Sequence, residues 1–76
     1  MELKEFISNF ANQFEETDSS AIKADTIFRE LEEWSSLTAL SIIAMVDEEY
    51  EVTLKGDDLK KATTVESLFH IVESKK

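Results

Sequence analysis

The sequence predicts an all-α fold, a small helical bundle of three main helices plus one short helix, with a long loop between helices one and two. Three observations predict it. The 76 residues contain no proline and a single glycine, Gly56, which disfavours a sheet closed by tight turns. Apolar residues recur at helical spacing in separate stretches. Helix-starting residues, Ser35 and Thr63, stand just ahead of two of those stretches. The length suits one domain over 1–76, small enough that folding buries only about 60% of the chain's surface.

Taken in order, the first helix is predicted from Glu2 to Glu16, with Leu3, Phe6, Ile7, Phe10 and Phe14 forming its apolar stripe. The stretch "TDSSAIKADTIFREL" breaks the period and reads as a loop pinned to the core by Ile22, Ile27, Phe28 and Leu31. A loop this long in so small a domain is functional or well packed. Helix two should start after Ser35 and run to about Glu51. A short third helix covers Asp57 to Lys61. The last opens at "TTVE", where Thr63 as N-cap and Glu66 three residues on make a capping box, and Val65, Leu68, Phe69 and Val72 form the buried stripe.

On a helical wheel, Ala39, Ile42, Ile43, Val46 and Tyr50 form the core side of helix two. Leu37, Leu40 and Ala44 fall nearly opposite, alongside Ser41, Glu48 and Glu51. A bundle helix needs one buried face. The second strip is therefore covered by the long loop or offered to a partner as a docking surface edged by acids.

Seventeen acids against eight bases give a formal net charge of −9. Nucleic-acid backbones and anionic membrane surfaces both attract basic segments, so neither is an expected partner. Proteins with basic docking patches are. The absence of cysteine removes disulfides, thiol nucleophiles and Cys-based metal sites. No apolar run reaches the ~20 residues of a membrane span, and "MELKEFISNF" lacks the order of a signal peptide, so a cytoplasmic monomer is expected.

No catalytic constellation emerges. His70 is the one histidine, and alone on a terminal helix it reads as a surface or core-edge residue. Asp47, Glu48, Glu49 and Glu51 lack the alternating acids, central glycine and final Glu of a calcium loop, and read as a solvated face rather than a metal site. One glycine cannot build a phosphate-cradling loop.

Two serines follow Trp34. Ser35 sits where an N-cap belongs, its hydroxyl able to accept from the N–H of residue 37 or 38. Ser36 is then the first helical residue, its side chain outward. A helix N-terminus, with free N–H groups and a partial positive charge, suits an attached phosphate. Spacing alone leaves Ser36 open to two readings: a second small polar residue at a helix start, or an attachment point.

The segment "WSSLTALSIIAMVDEEYEVTL" resembles the signature of the acyl carrier protein family, in which Asp-Ser-Leu opens helix two and an acid-acid-aromatic ending closes it. Ser36 and Leu37 match the end of the triplet, and Glu48, Glu49 and Tyr50 match the helix ending. "KKATTVESLFHIV" resembles the family's short third helix and the start of its fourth. The resemblance implies a carrier and not an enzyme. A phosphopantetheinyl transferase would esterify Ser36 with 4′-phosphopantetheine, whose thiol would hold acyl intermediates of fatty-acid, polyketide or related biosynthesis. Its partners would be that transferase and acyl-handling synthases with basic docking patches. The missing cysteine and the acidity both fit. The family's aspartate is replaced by Ser35, its usual upstream glycine by "EEW", and Thr38 and Ser41 are neutral where many fatty-acid carriers place acids, so the cargo stays open. The other reading open to these residues is an unmodified acidic helical interaction module docking through Leu37, Leu40 and Ala44.

Overall fold

The computed structural model describes residues 2–76. The helices are α1 (Leu3–Ala11), α2 (Ser36–Tyr50), α3 (Gly56–Lys61) and α4 (Val65–Lys75), with two 3-10 turns, Ser19–Ala21 and Phe28–Glu30, in the loop between α1 and α2. The described residues contain no strand, and none of their helices is long and apolar enough to cross a membrane.

Helix α1 forms because Phe6 and Phe10, one turn apart, are both fully buried. It ends at Ala11, five residues before the predicted Glu16. Gln13 and Phe14 donate to carbonyls three residues back, Phe10 and Ala11, which tightens the chain out of α geometry. The next three N–H groups, of Glu15, Glu16 and Thr17, point instead at the Glu33 carboxylate. Phe14 is still buried, turned inward by the loop.

The core is an aromatic column. Phe6 meets Tyr50 of α2 at 5.8 Å and Phe69 of α4 at 5.5 Å between ring centroids, so one side chain joins three helices. Phe10 continues the column to Phe28 at 5.7 Å and to the parallel Trp34 ring at 6.5 Å. Ile22 and Phe28 pin the loop as expected, with Leu31 half-buried. Ile27 does not, and is 39% exposed. Its backbone forms an antiparallel bridge with Thr64, and this register gives the Thr26 and Ala24 carbonyls to the N–H groups of Val65 and Glu66. The loop thereby satisfies donors that a helix start leaves orphaned.

The α4 cap lies one residue later than predicted. Thr64 is the N-cap, its hydroxyl accepting from Ser67 N–H at 3.1 Å, while Ser67 Oγ accepts from Thr64 N–H at 2.9 Å. Glu66 is excluded because its N–H already serves Ala24, and its side chain is exposed. In α3, the Asp58 carboxylate accepts from Lys55 N–H at 2.9 Å, and Leu59 is buried. Arg29 Nη1 donates to the carbonyls of Leu59 and Lys60 at 3.1 and 3.0 Å, fastening α3 to the loop.

Candidate functional site

The site is the first turn of α2. Ser35 is the N-cap with extended backbone, and its Oγ accepts from Thr38 N–H at 3.4 Å. Thr38 is buried, and its hydroxyl donates to the Glu33 carbonyl at 2.8 Å. The Thr38 proton being used there, Ser35 is the donor in the 3.3 Å contact between the two hydroxyls. Ser35 thus both accepts and donates. Ser36, the next residue, is exposed, and no hydrogen bond engages its hydroxyl among the described residues. The two serines are chemically unequal.

Glu33 holds this turn in place. Its carboxylate accepts from the N–H of Glu15, Glu16 and Thr17 at 2.7, 3.0 and 2.8 Å and from the Thr17 hydroxyl at 2.8 Å. Its partial removal from water works to raise the pKa. The bonds from the Thr17 hydroxyl and the three N–H groups outweigh that and hold it below the ordinary glutamate value. The same residue grips the α1 end through its side chain and α2 through its carbonyl. Trp34, immediately after, lies 4.8 Å from Phe28 and stacks on Phe14.

Ser36 opens onto a groove of about 570 Å³ whose walls come from three elements. Trp34 and Arg29 belong to the loop, Ala39, Leu40 and Ile43 to α2, and Leu59 and Lys60 to α3. Ala39 and Ile43, predicted for the core side, are only half-buried because they form this wall. Thr38 and Met45, buried but not predicted so, take the inward positions.

Leu37 and Leu40 are 77% and 61% exposed, and Ala44 is exposed too, so the loop does not cover the strip. The strip forms a crest between two hollows. Leu40 edges the groove, while Leu37 edges a second hollow with Gln13, Glu33, Thr38 and Ser41. Glu48 is exposed about 18 Å along the helix from Ser36, at 1.5 Å per residue. Glu51 lies just past the helix end as its C-cap, at a left-handed φ of 57°. His70 is an exposed residue 3.3 Å from Glu73.

Sequence reasoning missed Glu33, Arg29, Trp34 and Lys60 as parts of the site. Only Trp34 carried a local signal, a large aromatic beside the serines. The others act on residues 16 to 31 positions away or share a wall only in the folded chain.

The family model described as a phosphopantetheine attachment site matches residues 5–72. No curated protein and no solved structure matches the chain. Domains of the matched family carry covalently attached 4′-phosphopantetheine and serve as carriers without catalysis of their own.

Proposed function

Because the chain belongs to the phosphopantetheine attachment-site family, we propose that 1–76 is an acyl carrier domain whose arm is esterified to Ser36. The observation that supports the assignment is the inequality of the two serines. Ser35 Oγ is engaged with Thr38 on both sides, whereas Ser36 Oγ is exposed, unengaged, and at the first helical residue, where free N–H groups favour an attached phosphate. The arm supplies a terminal thiol that holds an acyl group as a thioester. Ser36 fixes where it leaves the surface, Thr38 and Glu33 fix the turn beneath it, and the groove offers apolar cover beside it.

The exposed crest of Leu37, Leu40 and Ala44, with Glu48 and Glu51 farther along, is the docking surface for the phosphopantetheinyl transferase and for synthases of fatty-acid, polyketide or related biosynthesis. Acids on this face match basic patches on such partners and speed encounter. The chain acts as a cytoplasmic monomer and catalyses nothing itself. The test is an intact mass after incubation with coenzyme A and a transferase. The parent and Ser35→Ala should each gain one arm's mass, and Ser36→Ala none. Modification that survives Ser36→Ala, or maps to Ser35, sinks the assignment.

A further inference from the structure

The groove beside Ser36 carries an inference that rests on the carrier reading and deepens it. Acids outnumber bases seventeen to eight along the chain, yet the groove's lining includes two cations, Arg29 and Lys60, and no acid. Neither cation belongs to an ion pair among the described residues. Arg29 uses Nη1 on the Leu59 and Lys60 carbonyls, which leaves other donors of its five N–H groups unspent. The rest of the lining is mainly apolar, with Trp34, Leu40, Ile43 and Leu59. In a chain of net charge −9, two cations and no acid thus line the groove onto which the exposed Ser36 opens.

We propose that Arg29 and Lys60 hold the phosphodiester of the arm on Ser36, so that the arm lies along the groove instead of extending into solvent. The phosphate is the part of the arm whose place is fixed by the attachment, one bond from Ser36 Oγ. An anion added to a chain of net charge −9 is repelled by the whole and needs local counter-charge. The start of α2 supplies part of it and the two cations the remainder, a guanidinium being suited to phosphate by its planar fork. The apolar wall then shelters the arm beyond the phosphate. A partner's basic patch competes for the same phosphate, so docking on the α2 crest loosens the arm where it is to be delivered. The alternative is that Lys60 lines the groove by its methylene stem alone, with its ammonium in bulk water.

The experiment converts the chain with coenzyme A and a transferase, and the intact mass is read first. A chain that takes no arm sinks the carrier reading and this proposal together. A modified chain tests the groove alone, through Trp34, the one tryptophan, and through the phosphorus resonance of the arm. Modification should shift Trp34 emission to shorter wavelength and broaden the phosphorus line relative to the same protein in denaturing urea. Lys60→Ala should reverse part of both changes, and raised salt should do the same by screening. Lys61→Ala removes the same charge from the neighbouring position outside the groove and should leave both signals unchanged. Arg29→Gln, checked for unchanged helix content by circular dichroism, should add to the Lys60→Ala loss. Trp34 emission indifferent to modification overturns the proposal. So does a Lys61→Ala effect equal to that of Lys60→Ala, or an Arg29→Gln variant that adds nothing.

Discussion

The two ends of α2 are held by different physics. At the C-terminal end Tyr50 is buried against Phe6, its hydroxyl accepts from Asn9 Nδ2 at 2.9 Å, and burial raises its pKa. At the N-terminal end Ser35 and Ser36 are both exposed, and the turn is fastened by hydrogen bonds through Glu33, Ser35 and Thr38. Apolar burial anchors the helix at its C-terminal end through the inward-facing Tyr50. Hydrogen bonding fixes it at the end where Ser36 is exposed, because directional bonds can set a turn's geometry without covering its outward face.

The sharpest way to break the contrast is to empty the aromatic anchor. Tyr50→Ala should cost about 3–5 kcal/mol, the range for removing a buried aromatic side chain. Leu40→Ala, on the crest near the other end, should stay within about 0.5 kcal/mol in denaturant unfolding while weakening transferase and synthase binding. Equal losses for the two would mean that the crest is packed in solution.

Next in size is the polar end itself. Ser35→Ala removes the N-cap acceptor and should lower stability by about 0.5–2 kcal/mol. An unchanged denaturation midpoint would show that the α2 start is fixed by Glu33 and Thr38 alone.

The C-terminal end is also open to improvement, because Glu51 adopts the left-handed conformation that glycine tolerates without a Cβ penalty. Glu51→Gly should raise stability by about 0.5–1 kcal/mol, the left-handed penalty of roughly 1–2 kcal/mol less glycine's entropic cost. A loss would mean that the Glu51 side chain contributes more than its backbone costs.

The smallest effect is the pH response of Glu33. Its pKa is lowered on folding from 4.5, so the stabilisation it confers is full above the unfolded value and is lost as pH falls through the lower folded value. The stability gap between parent and Glu33→Gln should therefore be constant at neutral pH and close in acid. A gap that persists unchanged below the folded value would remove the carboxylate from the account of this turn.

Much of this was legible in the chain because it is local. The stripes of α1 and α4, the Ser35 cap and the grouping of Leu37, Leu40 and Ala44 on one face follow from spacings of three or four residues, which a helix enforces wherever it lies, whereas only the fold shows that the loop leaves that face uncovered. The placement of Ser36 one residue inside the helix start was legible for the same reason. Where α1 stops was not, because Ala11 ends it through a carboxylate at position 33, far outside any helical period. The α4 start was misread by one residue because "TTVES" offers two capping pairs, and only the loop carbonyls of Ala24 and Thr26 choose between them. The groove beside Ser36 joins residues 29, 34, 36, 43 and 59, which share no sequence pattern. Backbone propensity and capping act within a turn or two of the chain, so the sequence alone determined the helices and the exposed serine. Which walls stand around that serine, and with which charge, only tertiary packing decided, because it depends on which distant segments meet.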